Sequence, residues 1–128
     1  MNPTPLLTRR ACLALAACGA LVAPAVHAQA YPAKPITMVV PFPPGGPTDM
    51  VARLLAQKMS EQMGQSVVVD NKPGANGNIG GLQVSRAAAD GYTLLYNTSS
   101  ITLSPALYKS MQYDVLRDLS PVALTAVV

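Results

Sequence analysis

The stretch Ile36-Thr37-Met38-Val39-Val40-Pro41-Phe42-Pro43-Pro44-Gly45-Gly46-Pro47-Thr48-Asp49 decides the fold. Its first five residues, rich in β-branched side chains, form a short run that fits a strand buried on both faces. Pro41 ends that strand, because proline has no amide to give to a ladder. After the Gly/Pro loop, Thr48 is expected to cap a helix running to about residue 63. Val51, Leu54, Leu55, Lys58, Met59 and Gln62 recur at helical spacing, and Gly64 supplies the stop. Asp49 in the first turn suits the positive end of the helix dipole.

The same unit follows again. Residues 66–70, Ser-Val-Val-Val-Asp, read as a second buried strand. The loop Asn71-Lys72-Pro73-Gly74-Ala75-Asn76-Gly77-Asn78-Ile79-Gly80 then leads into a helix from Asn78 to about residue 88, which Asp90-Gly91 ends. Residues 92–96, Tyr-Thr-Leu-Leu-Tyr, read as a third strand, and residues 31–35 as an extended lead-in. Strand, helix, strand, helix, strand with short connections is the pattern of an α/β protein with a parallel sheet of βαβαβ units. In such sheets ligands sit beyond the carboxyl ends of the strands. Both Gly/Pro loops fall at that edge, as does Asn97-Thr98-Ser99-Ser100. Further on, 105–113 reads as a surface segment, 115–119 as one helical turn, and 121–128 as a terminal strand. No turn or polar tail follows that strand, so the chain is expected to be truncated.

A Gly/Pro loop that opens a helix lets backbone N–H groups point at an anion, since glycine permits close approach and the first helical amides have no internal partner. Two such loops in succession form one anion-binding crevice. The glycines of the second are spaced Gly74-x-x-Gly77-x-x-Gly80, which is not the dinucleotide fingerprint, and no Gly-Lys-Ser/Thr follows either loop, so both phosphate-loop motifs fail. The competing reading is that these are turns that touch no ligand. Pro43, Pro44, Pro47 and Pro73 favour the binding reading, because a stiff loop loses less entropy when it binds. Asp49 is assigned no chemistry beyond the dipole. Asn71 is expected to brace the loop that follows it, and Thr98, Ser99 and Ser100 to hydrogen-bond a ligand.

Ahead of all this, Arg9-Arg10, an apolar run over 11–25 and Ala28-Gln29-Ala30 form a secretory signal peptide over residues 1–30, with cleavage after Ala28 or Ala30. A membrane span is the competing reading, but the run is interrupted by Gly19 and Pro24 and is short against about 20 residues. Thr8-Arg9-Arg10-Ala11-Cys12-Leu13 loosely resembles a twin-arginine export motif, so the export route stays open. Leu15-Ala16-Ala17-Cys18 matches a lipoprotein cleavage motif. Ordinary cleavage is favoured over lipidation at Cys18, because apolar residues continue past it to an acceptable site. Without residues 1–30 the net charge of +3 falls to +1, seven Lys/Arg against six Asp/Glu, and both cysteines and the single histidine are gone. What remains has no thiolate nucleophile, no imidazole base and no soft or imidazole metal site. It also has no basic cluster for nucleic acid. Binding is the chemistry best left to it.

Taken in order, Tyr31-Pro32-x-Lys34-Pro35-Ile36, Val40-Pro41-Phe42-x-Pro44-Gly45-Gly46-x-x-Asp49, Val69-x-Asn71-Lys72-Pro73-Gly74-Ala75-x-Gly77-x-Ile79-Gly80 and Asp90-Gly91-Tyr92-Thr93-Leu94-Leu95 resemble one family. It is the Bug-type periplasmic substrate-binding proteins of tripartite tricarboxylate transporters, in their N-terminal part. The resemblance implies a longer, two-lobed protein with a type II periplasmic-binding-protein fold, of which residues 31–128 form part of the first lobe. It implies a periplasmic protein, not inserted in the membrane once the signal is removed, that holds a small carboxylate and delivers it to membrane permease subunits. It implies no enzyme activity and no cofactor. The ligand-holding positions carried over are Phe42, Pro43, Pro44, Gly45 and Gly46, then Asn76, Gly77 and Asn78, then Thr98, Ser99 and Ser100. On this reading residues 31–128 alone bind carboxylates weakly or not at all. A small secreted α/β protein with a structural or partner-binding role, self-associating through its sheet edge, is the alternative.

Overall fold

The computed structural model describes residues 30–125. The expected signal peptide and Cys18 lie outside the described residues, Ala30 apart. Three strands and three helices alternate: β1 (Ile36–Val40), α1 (Pro47–Met63), β2 (Val67–Asn71), α2 (Asn78–Ser85), β3 (Thr93–Leu95) and α3 (Ser100–Leu107), with a single 3₁₀ turn, Ala75–Gly77, before α2. The sheet order is β2-β1-β3, and both pairings are parallel, with Ile36 opposite Val67 and Met38 opposite Leu94. The expected βαβαβ sheet is therefore present.

Because β1 is central, its side chains are covered on both faces, and Ile36, Met38, Val39 and Val40 are all buried. Met38 and Val40 join Ala52 and Ala56 of α1 in one cluster, with Phe42, Leu55, Met59, Val67, Val69 and Tyr96 packed around it. Val39 points to the opposite face, toward Gly80 of α2. The result is one helix layer on each side of the sheet, the arrangement a parallel sheet requires.

Several expectations change in detail. The N-cap of α1 is Gly46, with Pro47 as first residue, and Thr48 lies inside the helix; proline is pre-set for that position and needs no amide there. Gly64 does stop the helix, at φ +68°. The face of α1 against the sheet is Ala52 and Ala56 with Leu55 and Met59, whereas Val51 and Leu54 are exposed. Small residues let the helix lie close to the sheet, and a pattern weighted by hydrophobicity passes over them. β2 begins one residue later than expected and is an edge strand rather than a doubly buried one, with Val68 half exposed. α2 ends at Ser85, short of residue 88, and β3 is confined to its three middle residues.

α3 was not expected at all. Pro105 in its interior reads locally as a breaker, yet the helix accepts the lost bond there. The segment after it is not all surface, since Tyr113 is buried. A helical turn does form near the expected place, with the Asp118 amide donating to the Asp114 carbonyl at 2.9 Å. Residues 121–125 are exposed and form no strand, and 126–128 lie outside the described residues.

Candidate functional site

All three strands are parallel, so their carboxyl ends and the loops that follow share one edge of the sheet. The first loop passes from Pro41 to Gly46, with Pro43, Pro44 and Gly45 exposed and Gly45 at φ +82°. The second holds four consecutive residues at positive φ: Gly74 (+132°), Ala75 (+46°), Asn76 (+52°) and Gly77 (+96°). Ala75 and Asn76 carry Cβ atoms, for which this region costs about 1–3 kcal/mol each, and such strain collects at binding and switching sites. The third loop is Asn97 to Ser99.

Packing ties the loops together. A Cβ on Gly77 would sit 3.3 Å from Asn97 Nδ2 and 3.5 Å from Pro41 Cγ, so one glycine of the second loop touches both of the others. The Asn97 carboxamide oxygen accepts from the Thr98 amide at 2.7 Å and the Ser100 hydroxyl at 3.1 Å. Those two donors fix its orientation, because a flipped amide would set an NH₂ against the Thr98 N–H. The Nδ2 left facing Gly77 is buried and has no acceptor.

Three helix N-termini open onto this rim, at Gly46, Gly77 and Ser99, and none carries a side-chain cap. Several first-turn amides are already bonded locally, Asn78 to the Ala75 carbonyl and Ser100, Ile101 and Thr102 to the Thr98 hydroxyl, the Thr98 carbonyl and the Ser99 carbonyl, and it is the dipoles that add positive potential where no ionised side chain is needed. The helix starts and the Ser99 hydroxyl form a surface suited to a small anion, with Asn97 Nδ2 buried beneath it and the Thr98 hydroxyl donating to that of Ser100 at 3.1 Å. Concavities of about 660 Å³ and 200 Å³ lie on the flank formed by α2, Tyr108 and residues 111–116, the smaller one reaching Ala75 and Asn78 of the second loop. The rim is open. Among the described residues no cluster of His, Cys, Asp or Glu is placed to hold a metal ion.

The sequence-derived site residues do not all present their side chains here. Pro43, Pro44, Gly45, Asn76, Thr98 and Ser99 are exposed at the rim, with Gly46 and Gly77 supplying backbone. Phe42 turns its ring into the core cluster. The carbonyl oxygen of the Asn78 side chain is taken by the Tyr113 hydroxyl at 3.2 Å, and the Ser100 hydroxyl is spent on Asn97.

Sequence reasoning missed Tyr113 as a brace and above all the role of Asp49. Only 2% exposed, the Asp49 carboxylate accepts from the Gly45 amide, Arg53 Nε and Asn71 Nδ2, each at 2.8 Å. Asn71 also donates to the Phe42 carbonyl at 3.0 Å, so it braces the first loop and not the one that follows it. Arg53 foremost, then the Gly45 amide and Asn71, hold the Asp49 carboxyl well below its ordinary value of 3.8, outweighing the effect of burial. The unfolded chain therefore takes up this proton first as pH falls, so the stability from Asp49 is complete above about pH 4 and fades below it. In Asp49→Asn the loss is present at pH 7, and the gap to the unsubstituted protein should shrink between about pH 4 and pH 2. Urea midpoints measured across that range check this.

The family model described as tripartite tricarboxylate transporter family receptor, TctC, matches residues 51–127. Protein BugT of Bordetella pertussis strain Tohama I is 48% identical over 126 residues, 97% of this chain and 38% of BugT. The structure of R. palustris Rpa4515 with adipate is 46% identical and aligns with a TM-score of 0.63 over 66% of this chain and 29% of that one. MatC (Rpa3494) from Rhodopseudomonas palustris with bound malate is 37% identical, with a TM-score of 0.64 over 73% of this chain and 32% of that one. The chain thus spans well under half the length of each. It belongs, by the family model and by its parallel sheet alike, to the TctC family of tripartite tricarboxylate transporter receptors.

Proposed function

We propose that this chain forms part of the first lobe of an extracytoplasmic solute-binding receptor, which takes a small carboxylate and delivers it to membrane permease subunits. The observation that carries this is the meeting, at one sheet edge, of three helix N-termini without side-chain caps. A carboxylate gains from the converging helix dipoles, while a neutral ligand gains far less. Relatives of like fold hold adipate and malate, two dicarboxylates, which supports an acid of that size.

The rim residues proposed to meet the ligand are Pro43 to Gly46 and Asn76 to Asn78, mainly through backbone, and Thr98 to Ser100, with Phe42 supporting from the core. Export on the signal over residues 1–30 would place the receptor in the periplasm. It works by binding, with no covalent step.

Thermal unfolding with added acid tests the function. Of the two outcomes expected for residues 31–128 alone, weak binding or none, the rim favours weak binding: with a Kd near 1 mM for malate or adipate, 10 mM ligand adds about 1.4 kcal/mol and raises Tm by several degrees. The corresponding neutral diamides should leave Tm unchanged. Equal shifts with acid and diamide, or no shift with either acid, would count against a carboxylate receptor.

A further inference from the structure

Resting on that proposed function, we infer that Asp49, Asn71 and Arg53 form a clamp that holds the first rim loop in its binding shape, making Asp49 and Asn71 positioning residues for the carboxylate. The loop has little else to hold it. Pro43 and Pro44 carry no amide, and nothing lies within 4 Å of where a Cβ on Gly45 would be, so packing does not fix the tip. Two polar groups flank the prolines, the Phe42 carbonyl and the Gly45 N–H, and the clamp takes both, through Asn71 at 3.0 Å and Asp49 at 2.8 Å.

The polarity of Asn71 is fixed by its partners. Arg53 Nη2 only donates, so it must meet the side-chain oxygen, at 3.0 Å. Asp49 and the Phe42 carbonyl only accept, so they must meet the NH₂. Asn71 is also the last residue of β2, opposite Val40, and the next amide, that of Lys72, donates to the Val40 carbonyl at 2.8 Å. The clamp therefore joins the first loop to the root of the second. Two rim segments that would otherwise move separately are held as one unit, and a rigid site loses less entropy when it binds.

Asn71→Asp keeps the shape and reverses the donor, setting a second carboxylate against Asp49 and the Phe42 carbonyl. Amide hydrogen exchange by NMR in the ligand-free chain reads the loop at Gly45. The Thr37 amide, bonded to the Tyr92 carbonyl at 2.8 Å within the sheet, reports global opening. Exchange at Gly45 should quicken by about tenfold or more in Asn71→Asp, with Thr37 unchanged, and malate affinity should fall by about tenfold. Arg53→Gln, at a half-exposed position, should move both readouts the same way by less, and serves if Asn71→Asp does not fold. The clamp is overturned if Gly45 is unaffected, if Gly45 and Thr37 quicken together, or if the loop is freed with malate affinity unchanged. Failure of the unsubstituted chain to bind malate or adipate would instead overturn the carboxylate function and the ligand role resting on it. The exchange comparison would still decide whether the clamp holds the loop.

Discussion

Gly80→Ala should destabilise the protein by about 2 kcal/mol, although in an exposed helix interior the same change stabilises by about 1 kcal/mol. The new Cβ would lie 2.8 Å from Pro41 Cβ, 3.3 Å from Pro41 Cα and 3.4 Å from Val39 Cγ1. Pro41 is buried and its ring is part of the backbone, so it has no rotamer into which to retreat. Relief must come from moving α2 away from β1, which opens the core and shifts the α2 N-terminus at the rim. The neighbouring Gly81 is a useful contrast. Its Cβ would overlap the Tyr113 hydroxyl and stand 2.7 Å from Tyr113 Cζ, but Tyr113 comes from a segment outside any helix or strand and can be displaced. Gly81→Ala should therefore cost stability alone and become neutral or stabilising when combined with Tyr113→Ala, whereas Gly80→Ala stays costly in that background. Urea midpoints for the set of variants decide it.

Gly77→Ala combines two costs and should affect binding as well as stability. At φ +96° an alanine is strained by about 1–2 kcal/mol, and its Cβ would press on Asn97 Nδ2 at 3.3 Å while meeting Pro41 in ordinary contact at 3.5 Å. The buried Asn97 carboxamide must then give by a few tenths of an ångström, which disturbs the packing of the second loop on the third. Stability should fall by about 1–3 kcal/mol and malate affinity by about tenfold or more. Gly64→Ala is the control. Gly64 also has positive φ, +68°, but nothing lies within 4 Å of its Cβ position and it caps α1 at the far end from the rim. It should lose about 1 kcal/mol and keep its affinity. Thermal melts paired with calorimetry separate the two variants.

Much of the architecture was legible because the apolar runs are short and Gly or Pro punctuates them. Residues 36–40 and the stop at Gly64 came out as expected. The convergence of three loops followed from parallel strand order alone. Where the reading failed, the deciding facts were tertiary. Val67, Val68 and Val69 look alike in sequence, and only the sheet order makes β2 an edge and Val68 a surface residue. Ala52 and Ala56 carry little hydrophobic signal, and their burial depends on how closely α1 approaches the sheet. α3 was hidden by Pro105.

The site was legible as loops but not as individual side chains. Asp49 fits a first-turn acid so well that its three bonds were not anticipated, one of them to a residue 22 positions away. Asn78 and Asn97 stand in similar polar stretches; one spends its oxygen on Tyr113 and the other keeps a spare donor, a difference set by packing.

The most direct test of the central claim is an NMR titration of the isotopically labelled chain with malate, following each backbone amide. The amides of Gly45, Gly46, Thr48 and Asp49 and those in 76–79 and 98–101 should shift together and saturate in about the millimolar range, with malamide, the corresponding neutral diamide, inert. Shifts centred instead on the flank at 108–116, or none up to about 50 mM malate, would contradict an anion rim at the strand ends.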